Sequence, residues 1–278
     1  MRVIAMALAA VAMVLAVAHP GSPTAVHANA QSYSCDVDHC YGIARWGGPT
    51  LGASTDITIH NLNQGDGFVT NEVWLGGDPP SNLICPNTVD GSGGGDCWVE
   101  VGNTIGNLDT ANVSCYQACY YWADQRPSAP GTVNNYWEHF VDFVPASDLN
   151  TSVVFRILQA TDGPGRYDIQ IFDKGCLARP DYADVSTQDQ LVSTHIDIGS
   201  EVAGTSGASS GPTEYTDNQW LDSGGWHYQT NPGGDPSGSN HAPAVPHRWD
   251  QVPTGDGFLP GSGWGQTHRG GFFWTQFP

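Results

Sequence analysis

The sequence predicts an all-β protein folded as an antiparallel β-sandwich, and three observations predict it. Short runs rich in Val, Ile, Thr, Tyr, Phe and Trp are punctuated by 35 glycines and 19 prolines, the pattern of strands separated by turns. No long stretch repeats apolar residues at helical spacing, which argues against alternating strands and helices. The strand runs recur at intervals that favour two packed sheets or a barrel. A jelly-roll or concanavalin-like pair of sheets is the expected architecture.

The elements follow in order. Residues 1–30 have the makeup of a signal peptide. Met1-Arg2 is a short basic start, Val3 to Ala18 an apolar run, and Ala28-Asn29-Ala30 a small-x-small cleavage site. The run is short for a membrane span and lacks a basic stop-transfer flank. The mature chain then starts at Gln31, and residues 31–278 are expected to form a single domain. Ile57 to His60 and Phe68 to Leu75 flank a polar, glycine-containing stretch and are expected to pair as a hairpin. Trp98 to Val101, Tyr120 to Ala123, Tyr136 to Val144, Ser152 to Gln159, Tyr167 to Phe172, Leu191 to Ile198 and Glu201 to Ala203 continue the strand series. Beyond Gly204 the composition shifts, and 205–278 is a Gly/Pro/Trp-rich C-terminal region. Within it Thr213 to Leu221 and Gly271 to Phe277 suit strands, and Asn231 to Pro246 a long loop.

Charge and cysteine usage narrow the function classes. The formal net charge is −19, and loss of Arg2 with the leader makes it −20. Lys174 is the one lysine and basic residues do not cluster. Phosphate backbones and anionic lipids need concentrated Lys or Arg, so nucleic acid and membrane surfaces are poor partners. All seven cysteines follow the cleavage site, and in an exported, extracellular chain they are expected as disulfides. Cys35–Cys40, Cys85–Cys97 and Cys115–Cys119 are short-range pairings that leave Cys176 over, although spacing does not fix connectivity. No paired-ligand spacing for zinc occurs, and neither a metal nor a cofactor is expected.

Only five of the 28 acidic residues are glutamates. Two of these stand in apolar, strand-like surroundings beside a glycine: Glu100 in Trp98-Val99-Glu100-Val101-Gly102, and Glu201 in Gly199-Ser200-Glu201-Val202. Alternation along a strand puts Trp98 and Glu100 on one face, with Cys97, Val99 and Val101 on the other. It puts His195, Asp197 and Glu201 opposite Ile196, Ile198, Ser200 and Val202. A poorly hydrated carboxyl holds its proton to higher pH, and two such groups brought together can divide acid and base roles.

Four segments taken in order resemble the neprosin family of glutamic peptidases. Phe68-Val69-Thr70-Asn71-Glu72-Val73-Trp74-Leu75 resembles that family's Phe-Ser-x-Ser-Gln-Ile-Trp-Ile strand. Trp98 to Gly102 resembles its first catalytic motif, of Ile-Glu-Ala-Gly-Trp type, and Tyr121-Trp122-Ala123 its Tyr-Trp-Thr segment. Ile198 to Val202 resembles Trp-Gly-Gly-Glu-Val, which carries the second catalytic glutamate. The match spans roughly residues 50–205. The chain departs from the pattern at Glu72, where the family has Gln, at Asn103, where it has Trp, and throughout the tail after Gly204. The family's propeptide has no counterpart between Gln31 and the first strands. The resemblance implies a secreted acid endopeptidase with Glu100 and Glu201 as its catalytic pair, acting next to proline without metal. Trp98, Tyr121 and Trp122 are then expected to bind substrate, and the working unit is expected to be a monomer acting on peptide or protein.

Two other functions fit parts of the sequence. A non-catalytic sandwich could bind glycan or cell wall through surface aromatics. A glycosidase also uses paired carboxylates, but His195 stands where a Glu-x-Asp-x-x-Glu strand would need its first glutamate. Gly207-Ala208-Ser209-Ser210-Gly211 matches a GxSxG string without the strand-turn-helix context of a nucleophile elbow, and is expected as a Ser/Gly loop. His227, His241, His247 and His268 are expected as ordinary surface histidines. Asp36-Val37-Asp38 and Asn63 to Gly67 are expected as turns and not calcium loops.

Overall fold

The computed structural model describes residues 39–85, 97–129, 135–161, 165–173, 180, 182–187, 191–203, 208–228, 233–234 and 273–277. It is an all-β sandwich of two antiparallel sheets, as the sequence predicts. Sheet I runs, edge to edge, β14 (Gly233–Gly234), β1 (His39–Gly47), β11 (Val192–Ala203), β4 (Phe68–Asp78), β5 (Cys97–Leu108), β6 (Val113–Gln125) and β7 (Tyr136–Phe143). Sheet II runs β10 (Ala183–Thr187), β9 (Tyr167–Asp173), β8 (Ser152–Gln159), β2 (Gly52–Thr58), β12 (Ala208–Asp222) and β13 (Gly225–Tyr228). Two further strands, β3 (Leu62–Gln64) and β15 (Phe273–Phe277), also pair with β12.

The core lies between the sheets. Val73 and Leu75 of β4, Val99 and Val101 of β5, and Ile196 and Ile198 of β11 project from sheet I. Ile57, Phe155, Ile157, Ile169 and Ile171 meet them from sheet II. These side chains recur at every second position, so each strand commits one face to the interior. Fully burying each is worth about 1.5–3 kcal/mol. β-branched residues dominate because their restricted side chains suit the pleated surface.

Two disulfides occur among the described residues, Cys85–Cys97 and Cys115–Cys119. The first anchors the start of β5. The second closes an irregularity in β6, where Cys115 pairs with Gly106 and Cys119 with Thr104, so three residues stand opposite one. Gly106 has φ +132°, and an added Cβ would meet Phe68 Cβ at 2.6 Å, so only glycine fits at this bend. Cys35 and Cys176 lie outside the described residues.

The structure corrects the expected hairpin. β2 belongs to sheet II, between β8 and β12, whereas β4 belongs to sheet I, between β11 and β5. The polar link between them changes sheets and lends β3 to β12. Ala208 to Ser210, expected in a Ser/Gly loop, form the start of β12. Thr213 to Leu221 lie within β12, and Phe273 to Phe277 form β15. The expected leader and cleavage site fall outside the described residues, as does the Asn231 to Pro246 stretch apart from β14.

Candidate functional site

The face of sheet I turned away from sheet II carries the glutamates. Register shows why. Across β4, Glu72 stands level with Gly199 of β11 and Gly102 of β5. Glu201 is level with Thr70, and Glu100 with Trp74. Glu201, Glu72 and Glu100 therefore form a diagonal over three adjacent strands, all on the face opposite Val73, Val101 and Ile198. All three are shielded from solvent, with exposures of 8 %, 0 % and 6 % respectively.

The surroundings fix these groups. Thr70 Oγ1 donates to Glu72 Oε1 at 2.5 Å. Tyr121 of β6 reaches over Gly102, so its hydroxyl contacts Glu72 Oε2 and lies 3.2 Å from Glu100 Oε1. The Trp74 side chain hydrogen-bonds the Glu100 carboxyl. A Cβ at Gly102 would lie 2.7 Å from Glu72 Cβ and 2.1 Å from the Asn71 carbonyl oxygen. That glycine is the opening through which Tyr121 reaches β4.

The electrostatics follow from burial. Desolvation, then the charges of Glu100 and Glu201, push the Glu72 carboxyl well above the usual range. Desolvation, then the charge of Glu201, does the same to Glu100. Tyr136 of β7 is held strongly protonated by burial and by the nearby Glu100. Its ring packs on Trp98 with centroids 5.5 Å apart. Farther along the face, His195 Nε2 lies 3.7 Å from Asp197 Oδ2, and its ring covers Gly76.

The structure thus brings Glu100, Glu201, Trp98 and Tyr121 to one face. It does not bring Trp122. That side chain points to the opposite face, in the main core, stacked on His139 at 3.6 Å between centroids. Neighbouring positions on a strand face opposite ways, so Tyr121 and Trp122 cannot both line one surface. Glu72, Trp74, Thr70 and Tyr136 are additions to the predicted set. Alternation already aligns Thr70, Glu72 and Trp74 on one face of a predicted strand. Tyr136 carried no sequence signal, because its proximity depends on β6 and β7 pairing.

Behind the glutamates, in the sandwich interior, lies an uncharged polar knot. Ser200 Oγ donates to Asn71 Oδ1 at 2.6 Å, and the Tyr215 hydroxyl donates to the same oxygen at 3.2 Å. Thr275 Oγ1 of β15 lies 2.5 Å from Ser200 Oγ. These bonds tie β4 and β11 to β12 and β15.

No known family model matches the chain, and no curated protein matches it. Among solved structures, scytalido-glutamic peptidase bound to a peptide-based transition-state analogue is similar at 12 % identity and TM-score 0.40. The alignment covers 68 % of this chain and 83 % of that one. SCP-B, an eqolisin-family peptidase in complex with the tripeptide Ala-Ile-His, is similar at 11 % identity and TM-score 0.37, covering 68 % and 82 %. Similarity of this extent assigns neither an activity nor a site residue.

Proposed function

We propose that this chain is an exported acid endopeptidase in which Glu100 and Glu201 activate water, the chemistry implied by the neprosin resemblance. One observation carries the reading: both glutamates are buried on the same face of sheet I, close enough for the charge of Glu201 to raise the Glu100 carboxyl. Two like carboxyls in that relation resist ionising together, so the pair retains a proton in mildly acidic solution.

Glu100 serves as the acid and Glu201 as the base. Glu201 takes a proton from water as the oxygen attacks the peptide carbonyl carbon. Glu100 gives its proton to the carbonyl oxygen, producing a neutral tetrahedral diol. On collapse, Glu201 delivers its proton to the leaving nitrogen, the C–N bond breaks, and a diol hydroxyl returns a proton to Glu100. Trp98 and Tyr136 offer an aromatic wall for a residue beside the scissile bond, suited to the proline ring that the resemblance implies. Peptide is the partner, the acting species is a monomer, and the acidic surface suits an extracellular setting.

The test is hydrolysis of proline-containing peptides by purified secreted protein in acid, with Glu100→Gln and Glu201→Gln beside the wild type. Each substitution is expected to abolish turnover while leaving the fold intact by circular dichroism. Full activity in either variant would remove it from the mechanism.

A further inference from the structure

We propose that Glu72 is a positioning residue that works as a retained carboxylic acid: it donates its proton to the Tyr121 hydroxyl, which donates in turn to Glu100 Oε1. This rests on the reading of Glu100 as a reacting group.

Counting protons carries the argument. The Tyr121 hydroxyl has one proton and meets two carboxyl oxygens, Glu72 Oε2 and Glu100 Oε1. Were both groups carboxylates, one contact would set oxygen lone pairs against each other, because an ionised carboxylate only accepts. One of the two carboxyls must therefore donate. Burial identifies which: Glu72 has no solvent exposure, whereas Glu100 keeps 6 %, and Thr70 then selects the oxygen. Its hydroxyl donates to Glu72 Oε1, leaving Oε2, the atom against Tyr121, as the natural seat of a proton. Tyr121 is then free to donate onward. With Oε1 of Glu100 accepting from Tyr121, the exchangeable proton of Glu100 is directed to Oε2. The chain Thr70–Glu72–Tyr121–Glu100 thus chooses which oxygen of the proposed acid faces the reaction.

The environment favours the neutral form of Glu72. The residue has no solvent exposure. Glu100 faces it from β5 and Glu201 from β11, both acidic, while Tyr121 faces it from β6 and Tyr215 of β12 lies within electrostatic reach. Glu100 in turn feels Glu201, Glu138 and Asp124, with Tyr136 beside it. Burial and these carboxylates push Glu72 towards keeping its proton, against the smaller opposing pull of the Thr70 hydrogen bond. Its departure from the family's Gln is then intelligible. A protonated carboxyl and a primary amide can both donate to Tyr121, whereas a carboxylate cannot.

Infrared spectroscopy of the full-length protein tests the protonation directly, whether or not the protein cleaves peptides. At neutral pH the wild type is expected to show a carboxylic-acid C=O band that E72Q lacks. Absence of that difference overturns the proposal. Kinetics test the positioning. E72L is expected to lower kcat by up to ~10-fold with KM unchanged, the scale of one lost hydrogen bond. E72Q is expected to rescue that loss. Y121F is expected to move the pH limb assigned to Glu100 to higher pH, because its ionised form loses a donor. A collapse of turnover in E72Q equal to that of E100Q would make Glu72 a reacting group and overturn the proposal. If the wild type has no peptidase activity, the peptidase reading fails, while the infrared band still decides the state of Glu72.

Discussion

On β4, Thr70, Glu72 and Trp74 face away from sheet II, while Asn71 and Val73 face the interior. Both sides hold polar groups out of water, and they solve that problem differently. Inside, Asn71 Oδ1 and the hydroxyls of Ser200, Tyr215 and Thr275 pair with one another as neutral donors and acceptors. Outside, Glu72, Glu100 and Glu201 crowd like-charged groups together, and burial with mutual repulsion lifts Glu72 and Glu100 well above the ordinary carboxylate range. The neutral knot is indifferent to pH and fastens the sheets. The carboxyl diagonal is costly at neutral pH, because burial and like charge both oppose its ionisation.

The comparison breaks most visibly at the two glutamates proposed to react. Glu100→Gln or Glu201→Gln is expected to reduce peptide hydrolysis by at least ~10²–10⁴-fold, the usual weight of one general acid or base, without lowering the melting temperature. In the interior the effects should be reversed. Phe155→Ala is expected to cost about 3–5 kcal/mol in denaturant unfolding, and to affect catalysis only through the folded fraction. Ser200→Ala leaves the Asn71 oxygen and the Thr275 hydroxyl short of a partner. It is expected to cost about 1–3 kcal/mol, equally in acid and at neutrality.

The pH dependence of stability sharpens the contrast. Glu72 and Glu100 have folded values above their unfolded ones, so each favours the fold while protonated. That contribution is complete below the ordinary carboxylate range and fades as pH rises through the raised folded value. Thermal melts should therefore show Glu72→Gln more stable than the wild type at neutral pH and little different in acid. The gains from Glu72→Gln and Glu100→Gln should not add, because the groups are coupled. The smallest effect is expected on the exposed turn, where a hydrogen bond from His227 holds Asp222 below its usual range. Asp222→Asn should leave both melting temperature and activity unchanged, since solvent-exposed pairs contribute little.

Much of the site was legible because alternation is local. The membership of Glu100 with Trp98, and of Glu201 with His195 and Asp197, follows from counting by two, and the structure keeps both groupings. The same rule separates Tyr121 from Trp122, so pairing both in one pocket conflicts with strand geometry itself. Glu72 was visible as a departure from a family pattern, but its place at the centre of the diagonal was not. The hairpin expected between Ile57–His60 and Phe68–Leu75 failed for a related reason. A polar link with glycine looks the same whether it turns within a sheet or crosses between sheets.

By itself the sequence determined an all-β sandwich, the inward and outward faces of its strands, and two glutamates set in apolar surroundings. These depend on side-chain chemistry and a two-residue repeat, which act over a few neighbouring positions. Only the tertiary structure decided that β4 lies between β5 and β11, that Glu72 stands between Glu100 and Glu201, and that Tyr121 reaches across Gly102. Those facts depend on strand register between distant segments, as with Ser200 and Asn71, 129 positions apart. Register is set by the packing of the whole sandwich, because a slip of one residue would turn every core side chain outward.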